Sequence, residues 1–305
     1  MSLQNTIYVI GSSNTDMVIK TPKLPMPGET VLGGDFLMNA GGKGANQAVA
    51  AARLGGKVVF VAKVGDDIFG KQALQQFTRE KINIQYIKTD PHHPSGVALI
   101  NVDAKGENCI SVASGANGFL SEADITPVFE EMRPNDILLV QLEIPLSTVA
   151  YAIQKAHEKG VRIILNPAPM TALPNEIWEH LYLITPNETE TQLLTGIQVN
   201  NEVSAKAASK QLIDKGIANV IITLGAKGAY LHTQSAAKQL PAPIVKAIDT
   251  TAAGDCFNGA LVVALAEGKS LEEAVIFATE AASIAVTRMG AQASMPYRHE
   301  LDELL

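Results

Sequence analysis

Apolar residues recur along this chain in short unbroken runs, and between those runs they recur at helical spacing. Unbroken runs at 7–10 (Ile-Tyr-Val-Ile), 58–64, 137–142, 162–166, 181–185 and 219–224 predict strands buried on both faces. Amphipathic stretches at 69–81, 146–159, 188–195 and 203–215 predict the helices between them. An Ala-rich helix is expected to start after Gly41-Gly42 and to close at Gly55-Gly56. This βαβα rhythm predicts an α/β fold with a mostly parallel central sheet and helices on both faces. Two stretches break the rhythm. Residues 17–37 carry Pro22, Pro25, Pro27, Gly28, Gly33 and Gly34, and residues 95–112 alternate in polarity. Short strands of a small second sheet, a lid over a site, are expected there.

A second pattern lies at 249–260, Asp-Thr-Thr-Ala-Ala-Gly-Asp-Cys-Phe-Asn-Gly-Ala. The alternating residues 243–248 predict a short strand before it, and helical spacing over 257–267 predicts a helix after it. Ala252, Ala253 and Gly254 have no bulky side chain to screen the backbone. A helix starting there would aim unpaired N–H groups, backed by its dipole, at one point, which suits a phosphoryl group. Asp255 sits in the middle of this anion site. It either caps the helix, as Asp often does, or takes the proton from a hydroxyl attacking phosphorus. The stretch alone does not separate the two.

Polar residues also gather where the predicted strands end. Asn14 and Asp16 follow the first strand, and turn chemistry accounts for them on its own. Gln141-Leu142-Glu143, Asn166-Pro167-Ala168, Asn187-Glu188-Thr189-Glu190 and Thr223-Leu224-Gly225 close four more. Together they mark the carboxyl edge of the sheet, where open α/β sheets bind ligands. The turn Gly41-Gly42-Lys43-Gly44-Ala45-Asn46 is not a Walker loop, because Lys43 is not followed by Ser or Thr. Its glycines let the backbone approach a ligand, and tight helix packing does not explain Lys43 or Asn46.

Composition narrows the class. Of 305 residues, 47% are apolar and 18% charged, enough for a large core. With a net charge of −7 and no basic run, a nucleic-acid partner is not expected. No G-x-G-x-x-G follows the first strand, which argues against a nicotinamide dehydrogenase. Two separated cysteines, no leader-like start and no apolar run of about 20 residues predict a cytoplasmic enzyme with no membrane partner.

The residues quoted above resemble the ribokinase-like carbohydrate kinases, also called the phosphofructokinase-B family. Gly41-Gly42-Lys43-Gly44-Ala45-Asn46-Gln47-Ala48 is similar to that family's N-terminal motif, Asp249 to Asp255 to its C-terminal one, and Asn187-Glu188-Thr189-Glu190 to its metal-binding motif. The resemblance spans essentially the whole chain. It implies a three-layer sandwich with a β-sheet lid at 17–37 and 94–112, set into an α/β domain of 1–16, 38–93 and 113–305. It implies ATP-dependent phosphorylation of a sugar, D-ribose at O5. Asp255 would be the general base, and the 252–254 backbone the anion hole. Asn14, Asp16, Gly42, Lys43, Asn46 and Glu143 would hold the sugar. Asn187, Thr223, Gly225, Ala226, Lys227, Gly228, Gly254 and Thr279 would line the nucleotide. Asn187 and Glu190 would hold Mg²⁺ through water. Asp249, Thr251, Ala285, Arg288, Gly290 and Ser294 would hold K⁺, and the lid would join two copies as a homodimer. Deoxyribose, fructose or nucleoside kinases, and a non-catalytic binding protein, are the alternatives the resemblance leaves.

Overall fold

The computed structural model describes residues 5–302. Its first half runs β1 (Ile7–Ile10), β2 (Asn14–Lys20), β3 (Phe36–Gly41), α1 (Lys43–Arg53), β4 (Val58–Gly65), α2 (Ile68–Arg79), β5 (Asn83–Asp90), β6 (Gly96–Val102), β7 (Asn108–Ala113) and α3 (Glu122–Ile125). The second half runs β8 (Ile137–Val140), α4 (Leu146–Glu158), β9 (Arg162–Leu165), β10 (Leu183–Ile184), α5 (Glu188–Thr195), α6 (Glu202–Ile213), β11 (Val220–Thr223), β12 (Ala229–His232), β13 (Ala237–Leu240), α7 (Ala253–Ala266), α8 (Leu271–Ala285) and α9 (Arg298–Asp302).

Nine strands form one sheet in the order β13-β12-β11-β10-β9-β8-β1-β4-β5. All its pairings are parallel except those of β12 with β11 and β13. The central strands are buried on both sides, as unbroken apolar runs require. Their alternation feeds two cores: Ile7 and Val9 enter one, with α1, α7 and α8, and Tyr8 and Ile10 the other, with α4 and α6. Helices thus cover both faces, the three layers expected.

The chain leaves β1 for β4 and β5 on one side and returns to β8 on the other. That reversal opens a crevice beyond the carboxyl ends of β1 and β8, the place where such sheets bind ligands. The second sheet, β3-β2-β6-β7, is inserted after β1 and after β5. It begins at Asn14, so Asn14 and Asp16 stand on its first strand and not in a free loop.

Several sequence readings are corrected. Residues 243–248 are not a strand: Pro241 and Pro243 lack the N–H a ladder needs, and Ile244 is fully exposed. α7 starts at Ala253, four residues before the apolar periodicity. The edge strand β5, the β12–β13 hairpin and α8 were not expected from the pattern; β5 is polar at its exposed positions, which hides it.

α1 and α7 pack closely at Gly259, where an added Cβ would lie 2.6 Å from the Ala50 Cβ and 2.7 Å from the Gln47 carbonyl oxygen. Gly259→Val is therefore expected to destabilise the fold by about 1–3 kcal/mol, read as a lower denaturation midpoint. An unchanged midpoint would show that the two helices can separate freely.

Candidate active site

The N-terminus of α7 carries no side-chain cap. Ala252 occupies the N-cap position in the left-handed region, at φ 57°. The Ala253 N–H turns back to the Thr250 carbonyl at 3.2 Å. Those of Gly254 and Asp255 have no acceptor among the described residues. A Cβ on Gly254 would meet nothing within 4 Å, so the space above the helix end is open. Two unspent N–H groups and the dipole behind them leave this helix end able to receive an anion.

Asp255 does not cap the helix. Its carboxylate accepts hydrogen bonds from Asn46 Nδ2 (to Oδ2) and Gln47 Nε2 (to Oδ1), both 2.9 Å. Burial pushes its pKa up; the Lys43 ammonium and the two amides oppose that. Asn46 and Gln47 reach it because α1 begins immediately after Gly42. Gly42 has φ 88°, and an added Cβ there would lie 2.7 Å from the Asn14 nitrogen. Only glycine lets α1 start that close to the end of β1.

Around Asp255 the cleft holds polar groups with unspent capacity. The Asp16 carboxylate and the Lys43 ammonium make no hydrogen bond or ion pair among the described residues. Buried Asn46 Oδ1 has no partner among the described residues. Glu143 Oε2 accepts from Ser12 Oγ (2.5 Å) and the Lys43 N–H (3.0 Å), leaving Oε1 to the cleft. Asn14 Oδ1 accepts from Asn117 Nδ2 at 2.8 Å, leaving its own Nδ2 free. Burial, with Glu143 and Asp255 facing it, raises the Asp16 pKa from 3.8 to about 6, Lys43 opposing. Burial alone would disfavour the Lys43 ammonium, but Asp255, Glu143, Glu190 and Asp16 outweigh it and raise its pKa.

On the other side of α7, Asn187 caps α5, and it forms an isolated parallel bridge with Thr223. The Gly225–Lys227 turn follows, closed by the Leu224 N–H to the Gly228 carbonyl at 2.8 Å. Asn187, Thr223, Gly225, Ala226, Lys227 and Gly228 are thereby gathered on one edge. Thr279 lies on α8 and donates its hydroxyl to the Val275 carbonyl, which leaves it no donor for this edge. The turn at 228 touches Leu240 and Ala242, and the exposed Ile244 and Val245 continue from there as an apolar strip.

The residues present fit two cations. Asn187 and Glu190 form a reciprocal capping box that uses one oxygen of each, leaving a second Glu190 oxygen free; its carboxyl is raised by burial and faces Lys43 and Asp255. Among the described residues no three His, Cys, Asp or Glu gather at metal-ligand distance, so a divalent ion here would keep most of its water. Asp249 accepts from the Thr251 N–H (2.9 Å), the Thr251 hydroxyl (2.6 Å) and the Gly290 N–H (2.8 Å). These contacts bring 249–251 against 288–294, and the carbonyls of Thr251, Arg288 and Gly290 accept no hydrogen bond among the described residues. Arg288 itself pairs with Glu300, so its contribution to a cation is its carbonyl. The Ala285 carbonyl accepts from the Arg288 N–H, and Ser294 Oγ donates to the Ala291 carbonyl.

Sequence reading assigned no role to Gln47, Gln141, Asn166, Asn117 or Ser12. Gln141 and Asn166 showed as polar strand ends; the partners of Gln47 and Asn117 lie about 100 and more residues away.

A match to the pfkB family carbohydrate kinases covers residues 4–298, and the chain belongs to that family. Within it, the chain is similar to the ribokinase of Haemophilus influenzae, 46% identical over 303 residues and 99% of each chain. It is also 39% identical to the deoxyribokinase of Salmonella typhi over 300 residues, 98% of each. The solved Arabidopsis thaliana ribokinase, complexed with ribose and ATP, superposes with a TM-score of 0.91 at 33% identity, covering 99% of both chains.

A carboxyl whose pKa rises on folding binds its proton more tightly in the folded state, so its ionised form costs stability above that pKa. Asp16→Asn is thus expected to raise Tm at pH 8, with the gain fading as pH falls from about 6 to 4. A gain of equal size at pH 4 would contradict the placement of Asp16.

Proposed function

We propose that this chain transfers the γ-phosphoryl group of ATP to O5 of D-ribose, giving ribose 5-phosphate and ADP. The observation that carries the reading is the facing of Asp255, with its acceptor capacity, onto the open anion site at the start of its own helix. A sugar hydroxyl placed between them has a proton acceptor on one side and a phosphoryl site on the other.

The sugar rests on Asp16, Glu143 and Asn46 Oδ1 as acceptors, and on Lys43 and the Asn14 amide as donors. Their alternation matches a polyol, each group taking or giving what a hydroxyl gives or takes. The Gly42 backbone allows the close approach. Asp255 takes the O5 proton while the O5–phosphorus bond forms and the bond to the β-phosphate oxygen breaks. Burial raises its basicity, while Lys43 and the two amides oppose that rise by favouring the carboxylate. The unspent N–H groups of Gly254 and Asp255 hold the charge that spreads over the transferred oxygens, which is most of what phosphoryl transfer requires. The nucleotide lies along 223–228 with Asn187, its base against Ile244 and Val245, and Thr279 lines the far side.

Mg²⁺, held through water by Asn187 and Glu190, neutralises phosphate charge when bound. Carbonyls of 249–251 and 285–294 would hold K⁺, which would fix the turn that presents the anion site. The small sheet acts as a lid, over 17–37 and 94–112, and its face supports a homodimer. Ile110 and Val112 share the face of Asp16 and are more than half exposed, and Phe36 and Leu99 expose the other. An apolar sheet of four strands needs cover.

The similarity to a deoxyribokinase favours one second reading, 2-deoxyribose as substrate. A coupled ADP-release assay separates them: ribose is expected well ahead of deoxyribose and fructose, because a site built to bond the 2-hydroxyl leaves groups unpaired without it. Equal or faster turnover of deoxyribose would overturn the sugar assignment alone. Asp255→Asn is expected to bind ribose nearly normally and lose turnover by several orders of magnitude; retained turnover removes Asp255 from the proton-accepting role. K⁺ is expected to raise the rate, and Asp249→Ala to abolish that response. A rate indifferent to K⁺ would remove the cation site.

A further inference from the structure

Asp255 is tied into a closed ring of buried hydrogen bonds that no substrate need complete. Asn258 Nδ2 donates to the Gly254 carbonyl at 2.8 Å, and Asn258 Oδ1 accepts from the Thr185 hydroxyl at 2.6 Å. The Thr185 carbonyl accepts from Asn166 Nδ2 at 3.2 Å. Asn166 Oδ1 accepts from Gln47 Nε2 at 3.0 Å, and the same Gln47 nitrogen donates to Asp255 Oδ1. A spur enters from Gln141, whose Nε2 donates to Gln47 Oε1 at 2.5 Å. The ring leaves the first turn of α7, passes the carboxyl ends of β10 and β9, and returns to the first turn of α7 through α1.

The direction of every amide in it is fixed. The Thr185 carbonyl can only accept, so Asn166 must present its nitrogen there and its oxygen to Gln47. Gln47 must then point its nitrogen at Asn166 and Asp255, and its oxygen at Gln141. Turning it over would set oxygen against two acceptors. Gln47 and Gln141 are fully buried and Asn258 nearly so, which makes any unmade bond costly. Gly11 makes room for the spur, because a Cβ there would lie 2.2 Å from Gln141 Oε1.

We infer that Gln47 is a positioning residue: through this ring it fixes the plane of the Asp255 carboxylate against the anion site formed by the same turn. The inference rests on the reading of Asp255 as proton acceptor. Asn46 holds the other carboxylate oxygen and keeps a free Oδ1, which the proposed function gives to the sugar. Gln47 keeps none, its Oε1 accepting from Gln141, and it is sealed from the cleft.

The test is steady-state kinetics on the full-length Gln47→Met and Gln141→Leu variants, with ribose affinity measured by calorimetry. Gln47→Met removes a donor to a carboxylate, and kcat is expected to fall about 10- to 100-fold with ribose Kd within about threefold. Lys43, Asp16, Glu143 and Glu190, the charged groups facing Asp255, stay in place. The acid limb of the pH–rate profile should therefore move to higher pH as the amide is lost. Gln141→Leu, which keeps that donor and frees only its orientation, should shift kcat in the same direction by less, and it carries the test if Gln47→Met does not fold. An unchanged kcat and acid limb, or a loss of kcat matched by an equal loss of ribose binding, overturns the inference. Asp255→Asn separates the two failures: if it retains turnover the proton-acceptor reading is wrong, and if it is inactive while Gln47→Met is silent only the positioning role is wrong.

Discussion

A carboxylate buried at the start of a helix is the constraint on which this structure turns. Removing an ion from water costs several kcal/mol unless charge and hydrogen bonds replace the lost solvation. For Asp255 the replacements come from one short segment of α1, with Lys43 as countercharge and Asn46 and Gln47 as donors. That segment can reach α7 only because Gly259 lets the two helices touch, and because Gly42 lets α1 start against the end of β1. The close packing of small residues in the core thus serves the electrostatics of the cleft.

The reversal of strand order supplies the rest. Elements that leave the sheet on opposite sides of β1 bring Asp16, Lys43 and Glu143 to one opening. Three carboxylates stand around one lysine there; burial raises both Asp16 and Asp255, with Glu143 adding to the rise and Lys43 opposing it. Such a cleft suits a neutral polyol and disfavours an anionic one. Phosphate charge would be received on the far side, by backbone N–H groups. The two reactants would then be sorted by the charge each half of the cleft tolerates.

Much of this was legible in the residue pattern, and for physical reasons. Unbroken apolar runs report strands buried on both faces, so the parallel centre of the sheet could be read directly. β5 and the β12–β13 hairpin could not, because edge strands mix polar and apolar positions. Residues 243–248 alternate like a strand yet join no sheet; polarity alone cannot show that Pro241 and Pro243 lack the ladder donors. Ala252, Ala253 and Gly254 pointed to an anion site by their smallness. Whether Asp255 capped its helix was undecidable from sequence, since the decision lies with Asn46 and Gln47, more than 200 residues away. Glutamines such as Gln47 and Gln141 carry no pattern of their own, and only the fold shows their oxygens and nitrogens interlocked.

The most direct measurement is a crystal structure of the chain with ribose and a non-hydrolysable ATP analogue. The account predicts ribose O5 within about 2.6–3.2 Å of an Asp255 oxygen, with the terminal phosphoryl group over the Gly254 and Asp255 N–H groups. Ribose bound with another hydroxyl at Asp255, or a phosphoryl group seated away from that helix end, would contradict it.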